Sequence, residues 1–270
     1  MRARGGRAAP WSIPSNPIFR DLIVVFAEPP RTQGDLNFAI FGIPVRVHPM
    51  FWLITVLLGL GASQDDPRSM LLWVVAVFIS ILVHELGHAL AIRAQGWQPW
   101  ITLYGMGGLA SYQPTHRRPG TQIPISLAGP AAGFLLAALI MAVLRLASVP
   151  VMFELGGPMG VILGFDGEAL GRPQLATFIG YLLYINVAWG LLNLLPIDPL
   201  DGGHVFRALM TMVRPRDALR FSLTVSMFTA GVMAMYVLTQ TRSIYLPLLF
   251  AYFAYNNYAA LQSFSGGGWR

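Results

Sequence analysis

The chain is dominated by long stretches in which nearly every residue is apolar, separated by short polar or proline-rich segments. These stretches lack both the strict alternation of a half-buried strand and the one-sided stripe of an amphipathic helix. About 18 consecutive apolar residues suffice for a helix to cross a bilayer. The pattern therefore predicts six membrane-spanning helices, at about residues 45–62, 70–94, 123–146, 175–195, 221–238 and 244–261.

The first of these predicted spans is the shortest. Only residues 50–62 form an unbroken apolar run, and a run of this length also fits a buried or interfacial segment. The run must be extended back to Val45 before it becomes a short span. The sequence therefore leaves open whether residues 45–62 cross the whole bilayer.

Two further segments favour strands over spanning helices. Residues 100–112 are rich in aromatic and β-branched side chains and are interrupted by glycines, as in a short hairpin. Residues 38–47 include a short apolar run that fits either an interfacial segment or strands. The predicted fold is an all-α polytopic membrane protein with about six transmembrane helices and a short membrane-associated β-hairpin between the second and the third.

Composition supports an integral membrane protein. Of the 270 residues, 55% are hydrophobic and only 11% are charged, which is far more apolar than a soluble domain of this size. The chain has no cysteine, which excludes a disulfide framework and thiolate metal ligands. The isoelectric point near 10.1 comes from arginines that are spread over the loops, so no nucleic acid partner is expected.

The arginines instead predict an orientation in the membrane. With six spans and both termini in the cytosol, every loop arginine except Arg68, Arg172 and Arg242 faces the cytosol, as the positive-inside rule requires. Residues 1–40 lack the hydrophobic region of a cleavable signal peptide. The expected location is a bacterial cytoplasmic membrane, in which the chain is a multi-pass protein.

The second predicted span carries an H-E-x-x-H signature formed by His84, Glu85 and His88. In a helix the two histidines lie one turn apart on one face, so both imidazoles can reach a single Zn²⁺. Glu85 lies beside them and can take a proton from water without being a ligand. Residues 71–83 hold no ionisable group, and titratable side chains within a membrane helix indicate function.

The end of the fourth predicted span provides candidates for a third ligand. Two prolines and two glycines between residues 196 and 203 end the helix while the chain is still at membrane depth. Asp198 and Asp201 lie within this break. Burying an unpaired carboxylate at this depth would cost free energy, so we expect these side chains to bind something. A catalytic zinc held by two histidines needs one more protein ligand, and either aspartate could supply it.

Taken together, residues 84–88 (HELGH) and 193–203 (NLLPIDPLDGG) resemble the paired signatures of the site-2 protease family of intramembrane zinc metalloproteases, of the M50 type. The resemblance implies one Zn²⁺ per chain held by His84, His88 and Asp201, with Glu85 as general base and Asn193 near the reacting carbonyl. It also implies a membrane-embedded β-loop that contacts substrate through Gly105, Gly107, Gly108 and Tyr112.

This sequence departs from the family pattern at two positions. Many relatives carry an asparagine three residues after the proline of an Ala-Gly-Pro motif, and here that position is Gly133. The position of Asp198 is commonly a proline. The assignment of Asp201 as the ligand therefore rests on the alignment of motifs.

The predicted organisation has four parts. Residues 1–44 form a cytosolic or interfacial segment, and residues 45–69 form the first span and an outer loop. Residues 70–206 form the catalytic membrane core, and residues 207–270 form an amphipathic helix followed by two spans.

The expected function is hydrolysis of a peptide bond in or beside a transmembrane segment of a single-pass membrane protein, such as a membrane-anchored regulator. One alternative is a membrane-bound zincin that cuts substrates at the cytosolic face. Another is a metal-ion transporter that uses the same ligands as a transit site. Cleavage-site mapping and metal flux into proteoliposomes would distinguish the three.

Overall fold

The structure is a computed structural model that describes residues 28–60, 66–115, 119–154, 162–240 and 244–266. The predicted polar N-terminal segment up to residue 27, the basic loop at 116–118 and the flexible tail at 267–270 lie outside the described residues. The helices, in chain order, are α1 (Pro49–Gly59), α2 (Pro67–Ala94), α3 (Pro119–Leu146), α4 (Pro173–Asn193), α5 (Asp201–Val213), α6 (Ala218–Gln240) and α7 (Tyr245–Gly266). The strands are β1 (Leu36–Ile40), β2 (Ile43–Val47), β3 (Pro99–Tyr104), β4 (Gly107–Tyr112), β5 (Val151–Glu154) and β6 (Ile162–Phe165).

Helix boundaries follow from local sequence signals. Helix α2 begins at Pro67, where a missing backbone N–H costs nothing, and the Asp66 carboxylate accepts hydrogen bonds from the N–H groups of Arg68 and Ser69. The helix ends just before Gly96, whose positive φ of 83° suits a residue without a side chain. The long apolar sequence between these signals therefore forms one uninterrupted helix.

Four helices in the described part of the chain, α2, α3, α4 and α6, are long and apolar enough to cross a membrane. They correspond to the second, third, fourth and fifth predicted spans. Helix α1 has only 11 residues, and α7 is not among the four although it is 22 residues long. A multi-pass membrane protein is therefore supported, whereas the predicted number of six spans is not confirmed.

The predicted all-α fold with one short β-hairpin is incomplete, because four strands form a sheet in the order β1-β2-β3-β4. Strands β1 and β2 form one antiparallel hairpin, and β3 and β4 form a second. The two hairpins join through parallel pairing of β2 with β3, in which Val45 lies opposite Ile101 and Val47 opposite Leu103. Of the two possibilities left open for residues 38–47, an interfacial segment or strands, the structure has strands, in β1 and β2.

The sheet explains why the first predicted span is short. Val45 and Val47 of β2 and Leu103 of β3 are buried in one apolar cluster with Ile81 and Ala89 of α2. Residues 45–47 are therefore strand rather than helix, and β2 and β3 cover the C-terminal half of α2. Helix α1 covers only the remaining part, where the Trp73 indole N–H donates to the Thr55 carbonyl.

The region between α3 and α4 contains a second small sheet. Strands β5 and β6 pair antiparallel, with Val151 opposite Phe165, and a short 3₁₀ helix at Glu168–Leu170 follows. Leu163 and Phe165 pack against a cluster formed by α3 and α4. This hairpin therefore covers one end of those two helices.

Candidate metal centre

The two histidines of the H-E-x-x-H signature lie on the buried face of α2. Their side chains are one turn apart, and the Nε2 atoms of His84 and His88 are 3.1 Å from each other. Both residues are at least nine-tenths buried. The helical spacing predicted from the sequence therefore brings the two imidazoles together.

The third predicted ligand reaches the same point from a distant part of the chain. Asp201 is the first residue of α5, and its Oδ2 atom lies 3.2 Å from Nε2 of His84 and 3.3 Å from Nε2 of His88. Ligands bound at about 2.0–2.1 Å to a tetrahedral zinc are about 3.3–3.4 Å apart. The three donor atoms therefore already have close to the spacing that one zinc ion requires.

The other candidate ligand, Asp198, is engaged elsewhere. Its two carboxylate oxygens lie 3.2 and 3.4 Å from the guanidinium nitrogens of Arg207, and Oδ1 is 3.5 Å from Nε2 of His204. Both partners are on α5. The geometry therefore favours Asp201 over Asp198 as the ligand that joins the two histidines.

Helix α3 orients the imidazole of His88. The Ile125 carbonyl is 2.7 Å from Nδ1 of His88, so the hydrogen on this ring nitrogen points to the carbonyl and Nε2 is left for a metal. A carbonyl partner on the outer ring nitrogen is the usual arrangement for a metal-ligating histidine. His88 is therefore prepared for ligation by contacts within the protein.

Gly129 of α3 lies against both imidazoles. A Cβ atom built at this position would overlap Nε2 of His88 and lie 2.8 Å from Nε2 of His84. On α2, Gly87 faces the Ala128 carbonyl of α3 and likewise leaves no space for a side chain. The Ala-Gly-Pro motif thus places a bare backbone beside the two histidines.

The Glu85 side chain, on α2, is buried against strand β4. The Ala110 backbone N–H donates to its carboxylate, and a Cβ at Gly108 would overlap the Glu85 side chain. The ligating atoms of His84, Glu85 and His88 lie within 4.8 Å of one another. Strand β4 therefore fixes the carboxylate next to the histidine pair.

The predicted substrate-contacting glycines lie around the turn between β3 and β4. Gly107, with a φ of 115°, faces the Trp189 ring, Gly105 faces Ile54 of α1, and Gly108 faces Glu85. Tyr112 is at the far end of β4, where it stacks on Trp97 at 5.1 Å. Gly108 thus lies against Glu85, whereas Gly105 and Gly107 pack against α1 and α4 and the Tyr112 ring packs on Trp97.

A cavity of about 1710 Å³ connects these groups. Its walls come from α1 to α5, from β3 and β4, and from α7, and they include His84, Glu85, His88 and Asp201. Among the described residues β4 pairs only with β3, so its other edge is unpaired. The cavity therefore offers both apolar walls and the polar edge of a strand.

Asn193 is the last residue of α4 and also borders the cavity. Its Nδ2 atom donates to the Trp189 carbonyl one turn earlier. The space beside Gly133, where many relatives carry an asparagine, is filled by Asn186 of α4, whose Oδ1 would be 3.3 Å from an added Cβ. Asn186 donates to Ser80 of α2, so an amide from another helix occupies this position.

Several groups around the centre were not expected from the sequence. They are the Ile125 carbonyl, the Ala110 N–H and the backbone of Gly129. The Ala-Gly-Pro motif was a signal for close helix approach, but nothing local shows that the glycine meets two imidazoles from another helix. The carbonyl and the N–H are backbone groups, which residue identity does not mark.

Most of the chain matches a known family of proteins. The sequence model of peptidase family M50 matches residues 72–238, which is more than half of the chain. The chain belongs to peptidase family M50. The matched region includes the H-E-x-x-H signature, Asp201, the whole of α4 and α3, and most of α2 and α6.

Individual relatives of this M50 chain are moderately similar to it. A protein of Synechocystis sp. named provisionally as a zinc metalloprotease is 34% identical over 187 residues, which are 65% of this chain and 44% of that protein. A zinc metalloprotease of Methanocaldococcus jannaschii is 28% identical over 176 residues, or 64% of this chain and 44% of that protein. The chain thus spans less than half the length of these two relatives.

A solved structure shows the same fold. The site-2 protease from Methanocaldococcus jannaschii superimposes with a TM-score of 0.54 at 22% identity, covering 84% of this chain and 95% of that chain. The resemblance inferred from the paired motifs is therefore confirmed at the level of the family. The predicted enzyme class and cofactor, a zinc metallopeptidase with Zn²⁺, agree with the names of these relatives.

Proposed function

We propose that this chain is a zinc metalloendopeptidase that hydrolyses a peptide bond in or beside a transmembrane segment of another membrane protein. The observation that carries the proposal is the meeting of two imidazoles and one carboxylate, 3.1–3.3 Å apart, inside a bundle of apolar helices. Membership of peptidase family M50 supports the class of reaction. The proposed catalytic unit is residues 70–206, as expected from the motifs.

His84, His88 and Asp201 would hold the zinc ion. When bound there, Zn²⁺ supplies Lewis acidity, which polarises a carbonyl and lowers the pKa of a water molecule to about 7. Glu85 accepts the proton of the attacking water and then gives it to the leaving amine. The Ala110 N–H holds the Glu85 carboxylate at the position from which it can do both.

The substrate must be extended before it can be cut, because a helix hides its carbonyls in its own hydrogen bonds. The unpaired edge of β4 can hold a strand through backbone hydrogen bonds. Gly105, Gly107 and Gly108 themselves pack against Ile54, Trp189 and Glu85, and so bring the hairpin close to the wall of the cavity. Asn193, at the wall of the same cavity, is a candidate for orienting the scissile carbonyl. Binding in this way would bring the peptide bond alongside Glu85.

The proposed partner is a single-pass membrane protein, such as a membrane-anchored regulator, in the same bilayer. The arginine distribution supports a cytoplasmic membrane with both termini in the cytosol. In that orientation α2 and α4 run in the same direction, which is consistent with the contact between His84 and Asp201. Regulated intramembrane proteolysis is the process that this arrangement would serve.

The test is reconstitution of the purified protein with a transmembrane substrate in proteoliposomes. We expect zinc at one per chain and cleavage within or beside the apolar segment of the substrate. Cleavage well outside that segment would favour the zincin that cuts at the cytosolic face. Zinc flux without cleavage would favour the transporter and refute the proposal.

A further inference from the structure

The loop between α4 and α5, residues 194–200, lies outside any helix, yet it sets the position of Asp201. Within the loop, the Ile197 N–H donates to the Leu195 carbonyl and the Leu200 N–H donates to the Ile197 carbonyl. The Leu194 N–H also donates to the Gly190 carbonyl of α4, and the Leu200 carbonyl accepts from the His204 N–H of α5, so the loop is tied to its two flanking helices. Contacts with other helices add to these bonds.

Helix α6 provides one such contact through Ser226. The Ser226 hydroxyl accepts a hydrogen bond from the Asp198 N–H at 3.0 Å and donates to the Pro196 carbonyl at 3.3 Å. Ser226 is almost completely buried. One hydroxyl thus satisfies two backbone groups of a loop that carries a proposed metal ligand three residues later.

Helix α7 provides a second contact through Asn257. Its Nδ2 atom donates to the Asp198 carbonyl at 2.7 Å and to the Phe253 carbonyl of its own helix at 2.8 Å. Asn257 is buried, and its Oδ1 atom has no hydrogen-bond partner among the described residues. A buried amide with one unsatisfied oxygen is costly for the fold. The amide is better explained by its bond to the loop than by packing.

Apolar contacts also connect the loop with α6 and α7. Ile197 and Leu200 of the loop are buried in one cluster with Ala230 of α6 and with Phe250 and Phe253 of α7. The loop is therefore packed between the two C-terminal helices. Asn257 lies beyond the family match, which ends at residue 238, and outside the predicted catalytic unit.

We propose that Ser226 and Asn257 are positioning residues: they fix the backbone of residues 196–198 so that Asp201 can share a zinc ion with His84 and His88. This inference rests on the proposed function, because it requires the metal centre. It assigns α6 and α7, which lie outside the predicted catalytic core of residues 70–206, a role in metal affinity. Loss of a group that orients a metal ligand typically weakens metal binding by about 10–100-fold.

Two variants test the proposal with zinc affinity as the readout. Asn257→Leu removes the bond to Asp198 and the unsatisfied Oδ1 while keeping a branched side chain of four heavy atoms. The melting temperature of the zinc-free variant shows how far the larger methyl groups and the unpaired Asp198 carbonyl affect the fold itself. Ser226→Ala removes both backbone bonds of the hydroxyl. Ser222→Ala is the matched control, because Ser222 is equally buried one turn earlier on α6 and donates only to the Ala218 carbonyl of its own helix.

The measurement is the dissociation constant of zinc from the full chain in detergent, by competition with a chelator, alongside the melting temperature of the zinc-free protein. We expect Asn257→Leu and Ser226→Ala to weaken zinc binding about 10–100-fold. Ser222→Ala should bind zinc like the unchanged protein, and Ser226→Thr, which keeps a hydroxyl, should recover most of the affinity.

The outcomes separate this inference from the proposed function. If the unchanged protein binds no zinc, or His88→Ala binds zinc as tightly, both proposals are wrong. If His88→Ala loses zinc while Asn257→Leu and Ser226→Ala bind it normally, only the positioning role is wrong. If Ser222→Ala weakens binding to the same extent as Ser226→Ala, the effect is one of general packing and the positioning role is again wrong.

Discussion

The two halves of the candidate metal centre are built in different ways. His84, Glu85 and His88 belong to one helix of 28 residues, and the geometry of that helix alone brings their side chains together. Asp201 instead begins a helix after a non-helical loop, and contacts with α5, α6 and α7 hold that loop in place. The first half is therefore specified locally, and the second depends on the assembled bundle. Variants should affect the two halves differently.

The largest expected effect, on the rate of cleavage, comes from Glu85→Gln in the half of the centre that α2 provides. Because the amide cannot accept the proton of water, cleavage of a reconstituted substrate should fall by about 10²–10⁴-fold. The zinc content should stay at one per chain, since Glu85 is not a proposed ligand. Equal cleavage by the variant would refute the role of general base, and loss of zinc would indicate that Glu85 helps to hold the metal.

Gly129→Ala also tests the half provided by α2, because Gly129 of α3 lies against His84 and His88. A methyl group would overlap His88 and approach His84, so zinc binding should weaken by at least about 10-fold, comparable with the loss of an orienting group. Gly180→Ala on α4 is the matched control, because no atom lies within 4 Å of a Cβ at that position. Zinc competition assays on both variants provide the measurement. Unchanged affinity in Gly129→Ala would mean that α3 can move away without cost.

Gly202→Ala probes the loop-dependent half. The new methyl group would overlap the Leu194 carbonyl and crowd the Leu195 carbonyl, so the start of α5 would have to shift. Overpacking of this kind costs about 1–3 kcal/mol, and we expect both a lower melting temperature and weaker zinc binding. If zinc binding weakens while the melting temperature is unchanged, the loop can shift without loss of stability, which would contradict the view that contacts with α5, α6 and α7 hold it in place.

Asp198→Asn should have a smaller effect that separates the two aspartates. It removes a partly exposed ion pair with Arg207, for which a loss of stability of at most about 1 kcal/mol is expected. Zinc should remain at one per chain, whereas Asp201→Asn should lose it. Metal analysis of the two purified variants decides the point, and loss of zinc from Asp198→Asn would reverse the assignment of the ligand.

The smallest effect concerns the sheet that supports α2. Hydrogen bonds from Thr32 and the nearby Arg46 guanidinium lower the pKa of Asp35 from 3.8 to about 2. Because the ionised form is favoured in the folded protein, this stabilisation is complete above about pH 4 and disappears as the pH falls towards 2. The melting temperature of Asp35→Asn should therefore depend less on pH in this interval. An identical pH dependence would contradict the pKa shift.

Sequence reasoning succeeded where structure follows from local spacing. The placement of His84, Glu85 and His88 side by side on one helix follows from the spacing of their motif, and the four long helices follow from the length of the apolar runs. The contact between Asp201 and the histidines could not be predicted from spacing, since Asp198 is only three residues away and follows the same break. The resemblance of the paired motifs favoured Asp201, and the ion pair between Asp198 and Arg207 gives the physical reason.

The joining of the two hairpins into one sheet was the main feature that local sequence did not reveal. Parallel pairing of residues 45–47 with residues 101–103 depends on bringing together segments on either side of α1 and α2. Residues 45–62 therefore had the composition of a short span although their first three residues are a strand. The roles of Ser226 and Asn257 were hidden for a similar reason, because their partners are backbone groups of a loop far away in the sequence.

The short first helix has a consequence for the surrounding lipid. Eleven helical residues extend about 16 Å, roughly half of the 30 Å thickness of a typical hydrocarbon core. In a bilayer of that thickness, lipid beside α1 would have to thin or the protein would have to tilt, at a cost of a fraction of a kcal/mol for each Å of mismatch. A helix of ordinary length on this side would then be longer than the local hydrocarbon thickness.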